Sequence, residues 1–302
     1  MPRVRRWLYI LLICSLLLSA VSCEAPGAPS SLMPEETAAT GAAMSVEGTL
    51  QLHFFDVGQG DAALIQFPDG RNALIDAGPN ASADELLQYL RELGVSRIDY
   101  LIATHPHEDH IGGMDEVVNA LAIGEIYMPR LASDVTPTTK AYERLLTAIQ
   151  NKGLTIKRCR PLTDIIREEG TSLQVLSSDE AVHQDLNNSS AVVKLTFGNC
   201  RVLFTGDIEA EAETALLEAN RDVAADLLKV GHHGSSTSTS EAFLQAVSPR
   251  FAVISCGRDN SYGHPNAQTL NRLKNAGAAV SRTDEEGTVR FTCNGTSFSQ
   301  AA

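Results

Sequence analysis

The run Thr104-His105-Pro106-His107-Glu108-Asp109-His110-Ile111-Gly112-Gly113 concentrates three imidazoles and two carboxylates directly after an apolar, β-type segment at 98–103. On a strand-to-helix loop, His105 and His107 can turn to one side and Asp109 and His110 to the other. Neutral imidazole nitrogen and carboxylate oxygen suit zinc, manganese or iron. Two adjacent ligand sets point to two divalent metals ~3.5–4 Å apart, an arrangement that activates water and hydrolyses esters. A polar surface loop that happened to contain histidine would rarely gather ligands so densely at a strand end.

Other chemically equipped turns also sit at strand ends. Asp56-Val57-Gly58-Gln59-Gly60-Asp61 joins two strands, with glycines that permit close backbone approach. By itself it reads as an ordinary turn. Asp76-Ala77-Gly78 closes another strand, and Thr205-Gly206-Asp207 closes a third and opens a helix, which leaves Asp207 placed to bridge two metals. Gly231-His232-His233-Gly234-Ser235-Ser236 follows an apolar strand, and Ser261-Tyr262-Gly263-His264-Pro265-Asn266 precedes a helix. Six of the eight histidines (105, 107, 110, 232, 233 and 264) therefore fall along one edge, the geometry of an α/β active site. His53 and His183 read as a strand and a loop residue without a ligand role.

The elements that must position these groups are legible in the periodicity. Strands are expected near 49–56, 62–67 and 72–76, with a turn at Pro68-Asp69-Gly70-Arg71. Leu86, Leu87, Leu90 and Leu93 give a helix over 83–93, ended by Gly94. Strand 98–103 delivers the histidine motif and helix 113–121 follows. A strand near 124–128, a helix near 138–152 and strands near 154–157 and 172–177 come next. Segments 191–197 and 201–205 read as strands paired across Gly198-Asn199. Helix 209–219, strand 225–230, helix 239–247, strand 250–255, helix 266–276 and a final strand pair near 279–282 and 287–292 complete the pattern. Two groups of strands with interleaved helices predict two sheets packed face to face with helices outside. No short repeat and no second boundary interrupts this α/β domain, placed at 47–302.

The N-terminal part reads differently. Arg3, Arg5 and Arg6 precede the apolar stretch 7–18, and small residues lead into Cys23, the pattern of a lipoprotein-type signal peptide over 1–23. An uncleaved anchor is the rival reading, since the run falls short of a span of ~20 residues. Either predicts export, with the chain on the extracytoplasmic face of a membrane through lipid at Cys23, or secreted. Residues 24–46, rich in Ala, Pro, Ser, Thr, Gly and Glu, lack the apolar groups to offset ordering entropy and are expected to form a flexible linker. Beyond the signal, Cys159, Cys200, Cys256 and Cys293 contain no CxxC pair; export permits disulfides, but the spacing selects none, and buried thiols are an equal alternative. A formal charge of −13 argues against a broad basic surface for nucleic acid, although bound metals would invert the potential locally.

With these residues in view, the sequence resembles the metallo-β-lactamase superfamily, and more closely the hydrolase domain of ComEC-type competence proteins and their stand-alone secreted relatives. The motifs that carry the likeness are HFFDVGQGDAALIQ, ALIDAG, ATHPHEDHIGGM, NNSSAVVKLTFGNCRVLFTGD, LLKVGHHGSSTSTS and SYGHPN, in family order over roughly 49–292. The resemblance implies an αββα sandwich and a metal-dependent hydrolase; the ComEC-type branch is associated with degrading one DNA strand during uptake. It implies that His105 and His107 bind a first metal, Asp109 and His110 a second, and that Asp207 bridges them. It leaves open whether His232 or His264 completes the second set, the spare one serving to protonate a leaving oxygen or to bind phosphate. Asp76 corresponds to the carboxylate that orients a histidine ligand. Asn187-Asn188-Ser189-Ser190 stands where most of the superfamily has a further histidine, while the ComEC-type branch shares an Asn-x-x-Ser pattern there. A first site with two imidazoles would bind weakly and let manganese compete with zinc.

The function these expectations favour is a surface-tethered phosphodiesterase or nuclease acting on DNA or nucleotides through a metal-activated water, with Asp109, Asp207, His232 and His233 as catalytic candidates. Asp56, Gln59, Asp61, Asp76, Asn187, Ser190 and Ser235 are candidates for support or substrate contact. Gly234-Ser235-Ser236 can hold a phosphate ahead of a helix, or the hydroxyls of this stretch only cap it. The alternatives are a hydrolase of small esters or lactones, and a non-enzymatic envelope module.

Overall fold

Apolar runs bounded by turn residues become strands, and apolar residues at helical spacing become the helices that cover them. The computed structural model describes residues 46–131, 137–177 and 185–301. The expected signal peptide, Cys23, nearly all of the expected linker and His183 lie outside the described residues. Along the chain the elements are β1 (Leu50–Phe54), β2 (Ala63–Gln66), β3 (Asn72–Ile75), α1 (Ala83–Glu92), β4 (Arg97–Ile102), α2 (Glu108–Ile111), α3 (Met114–Ala120), β5 (Ala122–Pro129), α4 (Lys140–Asn151) and β6 (Ile156–Cys159). There follow β7 (Asp164–Glu168), β8 (Thr171–Val175), β9 (Val193–Phe197), β10 (Cys200–Phe204), α5 (Ala210–Glu218) and β11 (Leu227–Lys229). The last are α6 (Glu241–Val247), β12 (Phe251–Ile254), α7 (Ala267–Asn275), β13 (Ala279–Arg282), α8 (Thr283–Glu286), β14 (Val289–Cys293) and β15 (Phe298–Gln300).

The strands form two sheets, ordered β15-β14-β1-β2-β3-β4-β5-β6 and β13-β12-β11-β10-β9-β8-β7. Alternation along each strand divides the core into three layers. Leu50, Leu52, Phe54, Ile75 and Ile102 of the first sheet meet Val193, Leu195, Val202, Phe204 and Val253 of the second. On the outer face of the first sheet, Leu74 and Leu101 pack with Leu86, Leu90, Val117 and Leu145 of the helices. Leu203, Leu228 and Ile254 pack outward against Leu216, Phe243, Leu244 and Leu273. The result is the expected αββα sandwich, each fully buried Leu or Phe contributing about 1.5–3 kcal/mol. Helix starts are locally encoded: Thr139 accepts a hydrogen bond from Tyr142 N ahead of α4, and Ser240 one from Phe243 N ahead of α6.

Both sheets contain a parallel half, β3-β4-β5-β6 in one and β10-β11-β12-β13 in the other. Parallel strands need crossovers, so their C-terminal ends collect on one edge. The structure departs from the periodicity in places. Segments 279–282 and 289–293 do not pair: β13 ends the second sheet, while β14 runs beside β1 in the first. Each strand satisfies its hydrogen bonds with an older neighbour, information that local pattern does not contain. β7 and β15 escape a periodicity reading because charged or polar residues dominate them, and α2 and α8 are too short to display a helical period. Cys200 and Cys293 form a disulfide that ties β10 to β14, one strand from each sheet, whereas Cys159 and Cys256 are buried thiols.

Candidate metal centre

The loop after β4 is anchored from below by Asp76, which follows β3 in a left-handed conformation (φ 58°). Its buried carboxylate accepts hydrogen bonds from Thr104 N (2.8 Å) and Thr104 Oγ1 (2.6 Å), and lies 2.8 Å from His110 Nδ1. With Nδ1 held by a carboxylate, His110 turns Nε2 into the site. That nitrogen is buried, 3.2 Å from Asp207 Oδ2, and has no hydrogen-bond partner among the described residues. His105 Nε2 and His107 Nδ1 face each other at 2.9 Å, and His105 Nε2 is 3.8 Å from Asp207 Oδ2. Two nitrogens bound to one tetrahedral ion at ~2.0–2.1 Å would lie ~3.3 Å apart, so this pair is nearly at ligand spacing.

The second sheet supplies the other half. Asp207 follows β10 on a turn made possible by Gly206 (φ 52°), where a Cβ would lie 2.9 Å from both Thr104 Cβ and Ser190 Cβ. Asp207 N donates to Ser190 Oγ (3.1 Å), and Asn188 Oδ1 accepts from Glu209 N (2.9 Å). The 187–190 segment, where a further histidine was the superfamily expectation, thus braces the backbone of the Asp207 turn. Asn187 O accepts a hydrogen bond from Ser190 Oγ, while its own buried Oδ1 has no partner among the described residues.

After β11, His232 (φ 49°) and His233 (φ 51°) are both left-handed, a costly backbone for non-glycine residues that occurs here beside the cluster. The twist sends the two rings opposite ways. His233 Nε2 reaches Asp109 Oδ2 (3.1 Å) and Asp207 Oδ2 (3.5 Å), and its Nδ1 lies 3.0 Å from Ser255 O and 3.3 Å from Asp61 Oδ1. His232 turns outward, with Nδ1 3.0 Å from Glu209 Oε1 and Nε2 3.9 Å from Asp207 Oδ2. One ligand atom each from Asp61, His110, Asp207 and His233 lies within 4.8 Å of every other. Of the three imidazoles after β11 and β12, the structure gathers His233, rather than His232 or His264 between which the sequence left the choice open, with His110 and Asp207. The His264 ring stands behind, 6.3 Å from that of His233.

Lys229 is the residue that sequence reasoning missed. Its buried ammonium pairs with Asp61 at 2.7 Å, which draws Asp61 from a supporting turn into the cluster. The signal was present as a lysine inside the apolar run Leu227-Leu228-Lys229-Val230, where a charge needs a buried partner. Gly60 permits this approach, since a Cβ there would meet Asp109 O at 2.3 Å. Two supporting candidates are held elsewhere. Asp56 accepts from Gly58 N within its turn, and Gln59 Oε1 accepts from Gly257 N across the edge. Ser235 Oγ bonds Thr237, and Ser240 rather than Ser235 caps α6. His53, with Nε2 3.1 Å from Gln66 Oε1, belongs to the outer face of the first sheet; burial lowers its pKa to about 4.

Electrostatics within the cluster favour cations. Burial opposes charge on His110, yet the Asp207 and Asp76 carboxylates outweigh it and raise its pKa well above the ordinary value. His233 behaves alike, raised against burial by Asp207 and Asp61. Burial also works against the Asp207 carboxylate, but His110 and His233 hold it well below the usual range. For His105 the balance is reversed: burial, then His110, outweigh the Asp207 carboxylate and push it well below the imidazole norm, so it offers a neutral nitrogen. His264 is lowered to about 4 by burial and by His233 and His232. Two buried ligand atoms that face into the cluster, His110 Nε2 and Asp207 Oδ1, have no hydrogen-bond partner among the described residues. Each such orphan costs ~1–3 kcal/mol or more when charged, a cost that a divalent cation among nitrogen and oxygen donors removes. The donor set fits divalent metal.

Sandwich, strand-end cluster and donor set together define the class: the chain belongs to the metallo-β-lactamase superfamily, whose family model matches residues 55–258. Within it, the chain is similar to ComE operon protein 3 of Bacillus subtilis (31% identity, covering 82% of this chain and 33% of the relative). It is also similar to Recombination protein 2 of Haemophilus influenzae (33% identity, 80% and 29%). The chain thus spans about a third of the length of these relatives. Among solved structures it resembles CmlA, a diiron β-hydroxylase from Streptomyces venezuelae, at 15% identity and a TM-score of 0.51 over 82% of this chain and 54% of that one, a likeness of fold.

Proposed function

We propose that this chain is an exported, metal-dependent phosphodiesterase or nuclease, with DNA or nucleotides as substrate and zinc or manganese as the metal. The observation that carries the reading is the buried Asp/His cluster with its orphaned ligand atoms, at a sheet edge of a chain similar to ComE operon protein 3 and to Competence protein ComA of Neisseria gonorrhoeae. His105, His107 and Asp207 would hold one ion, and Asp109, His110, Asp207 and His233 the other. Divalent metal supplies water activation and stabilisation of the anionic phosphoryl oxygens.

The chain's own groups do the rest. Asp76 behind His110 and the Asp61–Lys229 pair behind His233 fix two Nδ1 atoms, so both Nε2 atoms point inward. Asp109, less buried than Asp207, orients the attacking water on the solvent side. His232, oriented by Glu209, stands at the mouth to protonate the leaving oxygen. His264, lowered to about 4 by burial, is neutral at pH 7 and would offer an acceptor nitrogen to a substrate. The Cys200–Cys293 disulfide accords with an oxidising compartment and so with export, and Cys23 is the proposed point of lipid attachment.

The test is hydrolysis by the full chain, with and without added manganese or zinc, of single-stranded DNA, bis(p-nitrophenyl) phosphate and a panel of simple esters and lactones. Metal-dependent cleavage of the diesters, lost in Asp109→Ala, is expected. Hydrolysis of esters or lactones alone would transfer the reading to small molecules. Bound metal with no hydrolysis of any substrate would contradict an enzymatic role.

A further inference from the structure

Two clefts flank the site, and they differ in what their arginines do. In one, of 490 Å³, Arg258 donates to Asp284 O, and Arg282 is engaged by Asp284 at 2.6 Å and Glu285 at 2.7 Å. Its positive charge is met within the protein. The other, of 440 Å³, starts at Pro106, between His105 and His107, and runs over the C-terminal ends of β5 and β6. Met128, Tyr142 and Ile156 line it, and the exposed Arg130 and Arg158 stand at its rim. Neither guanidinium has a hydrogen-bond or ion-pair partner among the described residues.

The topology explains the placement. β4, β5 and β6 are parallel, so the histidine loop, Arg130 and Arg158 emerge on the same edge, with Met128 and Arg158 in register. Neighbouring Lys157, by contrast, is paired with Glu125 at 2.5 Å. In a chain with 37 acidic and 24 basic residues, Arg130 and Arg158, without partners among the described residues and beside the candidate metal loop, offer free positive charge to an anion. Guanidinium forks match phosphate oxygens, and an aromatic side chain offers any base a face for stacking.

We infer that this cleft is the subsite for a nucleotide next to the scissile phosphodiester, its phosphate on Arg130 and Arg158 and its base against Tyr142 and Met128. The inference rests on the phosphodiesterase reading and adds the path of the polymer. A small diester that fills only the metal centre does not reach the cleft.

The experiment compares the full chain with its Arg130→Ala/Arg158→Ala variant. Binding of fluorescein-labelled oligothymidylate is followed by anisotropy, without added metal, at several salt concentrations. Turnover of bis(p-nitrophenyl) phosphate is measured alongside with manganese. The variant is expected to bind the oligonucleotide at least about 10-fold more weakly, and its dependence of log K on log salt to flatten by ~1.4, or ~0.7 per lost phosphate contact. Small-diester turnover stays within about twofold, since the metal centre is untouched. Unchanged oligonucleotide affinity overturns the inference, as does equally tight binding of an oligoglutamate of the same charge. Absence of diester turnover by the parent chain overturns the phosphodiesterase reading instead, and the anisotropy still reports on the cleft.

Discussion

The loop after β4 and the turns after β10 and β11 contribute to the same cluster by opposite means. The first offers His105, His107, Asp109 and His110 from one continuous stretch, seated on Asp76 and Thr104. The second sheet offers Asp207 and His233 singly, each held by its own support: Ser190 and Asn188 under the Asp207 turn, and Ser255 with the Asp61–Lys229 pair behind His233. One half is a motif and the other a meeting point. Only in the second half does the cluster depend on tertiary packing to choose which imidazole faces inward.

The comparison can be broken at its hinge. Asp207 lies within 3.2–3.9 Å of four imidazoles, His110, His233, His105 and His232, so Asp207→Asn touches both halves. Diester turnover should fall by at least about 10³-fold, several kcal/mol of lost stabilisation, and bound metal should fall with it by elemental analysis. Retention of both would remove Asp207 from the centre. His233→Ala and His232→Ala then sharpen it: the first should weaken metal binding by roughly 100-fold, the second by less than about threefold, as read by competition with a metal chelator. The reverse order would restore His232 to the role the sequence left open. The smallest effect on the site should come from the Cys200→Ala/Cys293→Ala pair. The disulfide begins β10 at the end opposite Asp207, so metal affinity should be unchanged while unfolding by denaturant reports a loss of ~4 kcal/mol. A loss of metal without loss of stability would show that the strand transmits strain to the site.

This difference also accounts for what could be read before the fold was known. The histidine loop, Asp76 and Asp207 were legible because their chemistry is contiguous or stands at an abrupt strand end. So was the αββα sandwich, because alternating and helical periods recur in two blocks. That His233 would join His110 and Asp207, where the sequence offered only His232 or His264, was not legible, since it turns on two successive left-handed residues that no local propensity announces. Lys229 was hidden for a similar reason: its partner Asp61 is distant in the chain, and their meeting requires Gly60 to pass against Asp109. Pairing of Val289–Cys293 with β1 instead of β13 is likewise a property of the closed sheet.

The most direct test of a cluster shared between the two sheets is an anomalous-difference map from crystals of the full chain grown with manganese. Density bounded by Asp207, His110 and His233 is the predicted result, with a weaker peak toward His105 and His107. Density held by His232 and His264, with His233 remaining on Asp109 alone, would contradict the account.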